Sequence, residues 1–339
     1  MAQQSNRGEL LSAWRSLSGT REAEGWRTIP VATGGPCRLL AGRRFPDNEE
    51  VLLVGFNSVR VPSDEQLPQG GGFVVCNAIL RQEGAGRDWV ALCRQSAGSL
   101  EFFTMMVDDV VSTLGNMGES NDERLFHVFL ARIRAWQDFM QRGRDDVLSP
   151  EAEIGLYGEI EILRGILEIG VPALVAVEAW KGPLDGLQDF ALGNGAIEVK
   201  STIAPSGFSA TIGSLEQLDN SLTQPLFLAG VRLSLNGSGK TLPELVARLR
   251  DILSSDSVAL GMFNSRLLHA GFLDAVSARY TRRFSHVRTR VLAVIDRFPK
   301  LTRANVGIEI RKTRYELDLD LVDEEEVGLG KALEQLGVI

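Results

Sequence analysis

Residues 187–202, "LQDFALGNGAIEVKST", decide how the chain is read. Apolar and β-branched residues flank a Gly-Asn-Gly turn, which is the pattern of a β-hairpin. A purely structural hairpin would carry Val or Thr where this one carries Asp189, Glu198 and Lys200. With the turn at Gly193-Asn194, residue 189 pairs with residue 198; with the turn at Asn194-Gly195, it pairs with residue 200. In either register the three charges share one face, because side chains alternate with period two and cross-strand partners point the same way. Phe190, Ile197 and Val199 then face a core.

Two carboxylates brought together in this way repel each other unless a cation lies between them. Mg2+ suits that place, since it takes hard oxygen ligands, commonly one or two carboxylates with waters and phosphate oxygens. Lys200 adds a second positive centre. A plain cross-strand Asp189–Lys200 ion pair, worth about 0.2–1 kcal/mol, leaves Glu198 unexplained.

Upstream, Ser149 as N-cap and Pro150 at the first helical position open a helix through "EAEIGLYGEIEILRGILEIG". "ALVAVEAW" follows as a strand, then the hairpin, a short helical patch "GSLEQLDN" and the apolar strand "PLFLAGVRLS". The order is α-β-β-β-α-β, an α/β layer on a small mixed sheet. Before it, "GWRTIPV", "CRLLAGRRF", "EEVLLVGF", "FVVCNAILRQ" and "DWVALCRQS" read as strands. A helix begins near Ser99. Another starts at a capping box from Ser120 to Glu123, with Leu125, Phe129, Ile133, Trp136 and Met140 at helical spacing. After the core, a Thr241–Glu244 capping box and "ALGMFNSRLLHAGFLDAV" read as helices, and "HVRTRVLAVIDRF" and "VGIEIRKTRYELDLDLV" as β-like. The expected division is an N-terminal mixed β/α domain at 1–118, a connecting helix at 119–148, the core at 149–235 and a C-terminal α+β extension at 236–339.

The α-β-β-β-α-β order, with Asp189 followed nine residues later by Glu198-Val199-Lys200, resembles the PD-(D/E)XK nuclease superfamily of restriction-endonuclease-like fold. Many members carry an active-site Glu on the preceding helix, and "GLYGE" offers Glu159. Taken together, "GLYGE", "WKGP", "DF" and "EVKST" look more narrowly like the PD-(D/E)XK motif proteins of uncharacterised function, prokaryotic proteins often encoded among anti-phage defence genes. Gln188 stands where many members have Pro. The resemblance implies a Mg2+-dependent DNA endonuclease, with Mn2+ as a substitute ion. Asp189 and Glu198 hold the metal with the Val199 carbonyl, while Lys200 acts as an ammonium that orients the nucleophile and stabilises charge. Gln217, just after these strands, is within range of DNA or the site, though a solvated helix position accounts for it more simply. A non-catalytic nucleic-acid-binding or scaffold subunit of a defence complex is the alternative. Cutting both strands calls for two active sites, so a homodimer or an assembly with other defence proteins is expected.

Composition sets the outer bounds. At 339 residues, 44% apolar and 24% charged, the chain is neither disordered, collagen-like nor a coiled coil. No signal-like segment and no run of about 18 apolar residues occurs, so a cytoplasmic protein with no membrane partner is expected. Cys37, Cys76 and Cys93 are odd in number and lack ligand spacing, and His127, His269 and His286 are scattered. Catalysis then falls to carboxylates.

The net charge is −8, yet residues 282–314 are rich in Arg and Lys and are followed at once by the acidic "ELDLDLVDEEE" of 316–326. A DNA-facing surface and internal neutralisation both fit this pattern; the need of a nuclease for a local positive field favours the first. "NGSGKT" at 236–241 imitates the end of a phosphate-binding loop, but Ser234 stands where that motif needs Gly. A turn after the apolar strand is the simpler reading.

Overall fold

A computed structural model describes residues 3–20, 24–31, 37–80, 86–115, 117, 120–141, 147–184 and 186–339. The chain divides into two compact units, 1–146 and 147–339. The boundary expected at 118/119 lies outside the described residues.

The first unit opens with helix α1 (Gln3–Leu17), followed by strands β1 (Gly25–Pro30), β2 (Arg38–Phe45), β3 (Glu49–Phe56), β4 (Gln69–Gly70), β5 (Phe73–Ala78) and β6 (Asp88–Arg94). They form one antiparallel sheet in the order β1-β2-β3-β6-β5-β4. β3 and β6 are apolar almost throughout, because both faces of the sheet are covered. One face holds a cluster that includes Leu40, Val51, Leu53, Trp89 and Cys93. α1 packs near β2, and its Trp14 indole donates to the Val51 carbonyl at 3.0 Å. All three cysteines are free and buried.

Helices α2 (Leu100–Gly115) and α3 (Asp122–Gln141) complete the unit. α3 opens one residue later than the capping-box reading: Asn121, not Ser120, accepts from the Arg124 amide through its side chain, at 2.9 Å. Its apolar stripe is as expected, with Leu125, Phe129, Ile133 and Trp136 buried.

The second unit begins with α4 (Pro150–Ile169), capped by Ser149, whose hydroxyl accepts from the Ala152 amide. α5 (Ala173–Ala179), β7 (Phe190–Leu192), β8 (Gly195–Thr202), β9 (Ser209–Ile212) and β10 (Leu226–Lys240) follow. α6 (Leu242–Leu253), α7 (Ser257–His269), β11 (Phe284–Ala293), β12 (Tyr315–Asp318) and α8 (Leu329–Gln335) complete it. The main sheet runs β11-β10-β8-β7, with β8 and β10 parallel and the other pairs antiparallel. It is the mixed sheet of an α/β fold. β9 and β12 pair separately, and Phe208, Ile212, Leu218, Leu228, Leu292 and Leu319 are among the core residues packed together there.

Two elements of the expected core differ. "ALVAVEAW" is helix α5, not a strand: Ala176, Val177 and Ala179 are buried while Leu174 and Val175 are exposed, a one-sided helical face without strand alternation. β-Propensity is overridden here by packing against α4 and α7. "GSLEQLDN" is a series of turns, not a helix. The Ser214 hydroxyl accepts from the amides of Glu216 and Gln217, and the Gln217 side chain accepts from the Gly213 amide, so side chains take the bonds a helix would have made.

The Gly run of "NGSGKT" is also not a simple turn. β10 continues to Lys240, and Leu235 and Lys240 both stand opposite Phe284, so the intervening residues bulge out. Thr241 then caps α6 in a complete capping box with Glu244. Thr241→Ala is expected to lower unfolding free energy by about 1 kcal/mol, read as a reduced urea midpoint at unchanged slope. No helix among the described residues is long and apolar enough to cross a membrane.

Candidate active site

The hairpin has its turn at Gly193-Asn194, with Leu192 opposite Gly195 and Phe190 opposite Ile197. Gly193 has a φ of 55°, which glycine adopts without strain. The turn is packed tightly: a Cβ at Gly193 would lie 1.9 Å from the Leu336 carbonyl oxygen, which also accepts from the Asn194 amide at 3.0 Å. Register is thereby fixed, with residue 189 in line with residue 198.

β7 begins at Phe190, and Asp189 lies outside the ladder. Its carbonyl accepts from the amides of Lys181 and Gly182, and its carboxylate Oδ2 accepts from the Val199 amide at 2.7 Å. The carboxylate thus takes the place of a missing strand partner, which fixes its orientation at the open edge of the sheet. A strand residue presents its N–H and C=O to the same neighbour, so the Val199 carbonyl points towards Asp189 as well.

Glu198 and Lys200 project from one face of β8. Lys200 Nζ lies 2.6 Å from Glu198 Oε1, so the ion pair actually formed is within β8, not across the hairpin. Glu198 is 1% exposed, and its Oε2 is buried without a hydrogen-bond partner. Phe190, Ile197 and Val199 are buried, as expected.

Glu159 comes from α4. That helix lies close to β8 because residue 158 is Gly: a Cβ there would meet Ser201 Oγ at 1.8 Å. The Trp180 indole, itself fully buried, donates to Glu159 Oε2 at 2.7 Å. Between the two carboxylates lies Gly182, where a Cβ would stand 2.5 Å from Glu159 Oε2 and 2.8 Å from Asp189 Oδ1. The absence of a side chain at 182 keeps the space between them open.

Burial, then the Asp189 carboxylate, push the Glu159 carboxyl up to about 8, against the lowering effect of the Trp180 hydrogen bond. Burial and Asp189 likewise push Glu198 up to about 8, with Lys200 pulling the other way. Asp189 is raised by burial and held back by the Val199 amide and Lys200. Three carboxyls above their ordinary range mark a site short of positive charge.

Among the described residues no group of three or more His, Cys, Asp or Glu forms a ready-made metal cage. The donor set still suits a hard divalent cation, because Glu198 Oε2 lacks a partner, Gly182 leaves room and Mg2+ needs only one or two carboxylates. Asp189, Glu198 and the Val199 carbonyl are the groups that could hold it.

Sequence alone does not single out Trp180, Gly182 and Gly158; their only signals are the "WKGP" and "GLYGE" motifs. Gln217 does not reach the centre: its side chain is tied to Gly213, and its carbonyl accepts from the Gln188 side chain at 3.4 Å. Most of the basic segment is neutralised internally. Arg288 and Arg290 meet Glu326, Arg297 meets Glu324, Arg282 meets Glu153 and Arg283 meets Glu244.

A mixed sheet bearing an Asp, a Glu-x-Lys strand and a helix Glu is a nuclease-like arrangement. The family model described as "Putative PD-(D/E)XK family member, (DUF4420)" matches residues 10–320, and the chain belongs to that family. No curated protein and no solved structure matched the chain.

Proposed function

We propose that this protein is a metal-dependent endonuclease that hydrolyses phosphodiester bonds in DNA, with restriction or anti-phage defence as its setting. The observation that carries the reading is the buried, unpartnered Glu198 Oε2, within electrostatic reach of Asp189 and Glu159, while Gly182 keeps the space between those two carboxylates open. An acidic pocket with an oxygen left over is costly in a folded protein unless a cation completes it.

Asp189, Glu198 and the Val199 carbonyl would hold Mg2+, or Mn2+ in its place. Bound there, the ion supplies Lewis acidity towards the scissile phosphate and lowers the pKa of a bound water. Lys200, already against Glu198, is assigned to stabilising negative charge on the phosphorane as an ammonium and to orienting the nucleophile. Glu159, aimed by Trp180, is assigned to orienting the attacking water. Asp189 has its second role beside the ladder, where it fixes the edge of β8.

The test is purified protein with supercoiled, linear and modified DNA in Mg2+, Mn2+ or EDTA. Cleavage in either metal and none in EDTA is expected; intact DNA throughout overturns the reading. The direct Lys200–Glu198 ion pair favours one alternative, a non-catalytic nucleic-acid-binding or scaffold subunit. That subunit would bind DNA to the same extent with metal or EDTA and leave it uncut. A homodimer, or association with other defence proteins, fits the requirement for two cuts in a duplex.

A further inference from the structure

Residues 282–314 do not neutralise themselves completely. Arg311, Lys312 and Arg314 lie largely towards solvent, and their side chains have no ion-pair or hydrogen-bond partner among the described residues. They lie in the excursion between β11 and β12, in a run at 307–314 that carries the single carboxylate of Glu309. Ile308 in the same run is 90% exposed and Ile310 is 44% exposed. Lone exposed apolar residues are ordinary, but a large one standing this far out among unneutralised cations is a surface waiting for a polyanion with apolar edges.

The run is also held in shape. The Arg303 guanidinium donates to the carbonyls of Ile310 and Arg311, at 3.2 and 3.0 Å, and pairs with Glu216 at 2.9 Å. The Tyr315 hydroxyl accepts from the Leu301 amide at 3.1 Å and ties the two ends of the excursion together. Glu216 precedes Gln217, whose carbonyl accepts from the Gln188 side chain, next to Asp189. A chain of hydrogen bonds therefore fixes this run to the turns that support the catalytic hairpin.

We propose that 307–314 is a DNA-holding arm: Arg311, Lys312 and Arg314 engage backbone phosphates of a duplex, and Ile308 packs into a groove against its sugars and bases. This rests on the nuclease reading above and names the part of the molecule that supplies the missing positive field. Neutralising phosphates releases counterions and sets the salt dependence, whereas an apolar wedge adds affinity that salt barely affects.

The experiment measures duplex affinity against salt in Ca2+, with wild-type protein, the triple variant Arg311→Glu/Lys312→Glu/Arg314→Glu, Ile308→Ser, and Arg297→Ala as a control. The triple variant is expected to flatten the slope of log affinity against log salt by roughly 2–3, at about 0.9 for each phosphate no longer neutralised. Ile308→Ser is expected to weaken affinity roughly fivefold with its slope unchanged. Arg297→Ala, whose partner is Glu324, should leave both unchanged. A triple variant that melts like wild type and keeps the wild-type slope overturns the arm while leaving the nuclease reading intact. Wild-type protein that neither binds nor cuts DNA overturns the nuclease reading itself. Tighter binding of duplex RNA than of DNA, abolished in the triple variant, overturns the assignment of the arm to DNA.

Discussion

Glu198→Gln is expected to abolish metal-dependent DNA cleavage, by about 10^3-fold or more, while making the metal-free protein more stable. On the proposed function, the loss would follow from removing an oxygen assigned to hold the metal, since Lewis-acid stabilisation amounts to several kcal/mol of barrier. The gain follows from burial. The folded value of Glu198, about 8, lies above the ordinary 4.5, so the stability linked to its protonated form is fully present below pH 4.5. It is lost as pH rises through 8. In EDTA at about pH 8.5 the wild type therefore carries a penalty on the order of a few kcal/mol that Gln removes, less what is forfeited by separating Lys200 from its partner. Melting curves from about pH 5 to 9 check this: the lead of the Gln variant should widen steadily from the acid end and level off above about pH 8. Equal melting points across that range would mean that Glu198 is not strained by its surroundings.

The second large effect is expected from the smallest change, Gly182→Ala. Its Cβ would stand within 2.8 Å of oxygens on both Glu159 and Asp189. Those oxygens cannot simply swing aside, because Trp180 anchors one carboxylate and the Val199 amide anchors the other. The substitution should weaken Mg2+ binding measured by calorimetry and reduce cleavage by about 10^2-fold, and it should also lower the melting temperature in EDTA, because the Cβ meets the anchored oxygens whether or not metal is present. Undiminished metal binding would show that the ion does not use the space at Gly182.

These positions mark how far the sequence can be read. The hairpin, its two candidate registers and the Glu-x-Lys strand are legible because strand alternation and turn chemistry are local properties. Ser149 and Thr241 are legible for the same reason, since a cap acts within its own helix. "ALVAVEAW" reads as a strand because its Val and Leu content is strand-like, while the faces of α4 and α7 that make it helical lie elsewhere in the chain. Trp180 and Gly182 stay silent in the sequence because their meaning arises only where α4 and the start of β7 meet. The basic segment is ambiguous for the same reason. Only the fold decides that Arg288 and Arg297 meet Glu326 and Glu324 while the Arg311 guanidinium has no partner among the described residues.

The tight packing of the hairpin turn on Leu336 has a consequence for synthesis. Asn194 and its neighbours leave the ribosome long before the residue whose carbonyl secures them. At about 5–20 residues per second, the interval is on the order of ten seconds. For that time the Gly193-Asn194 turn between β7 and β8 lacks the hydrogen bond and packing that Leu336 gives it. The turn that joins β7 to β8 is therefore completed only once the residue following α8 has been translated and docked.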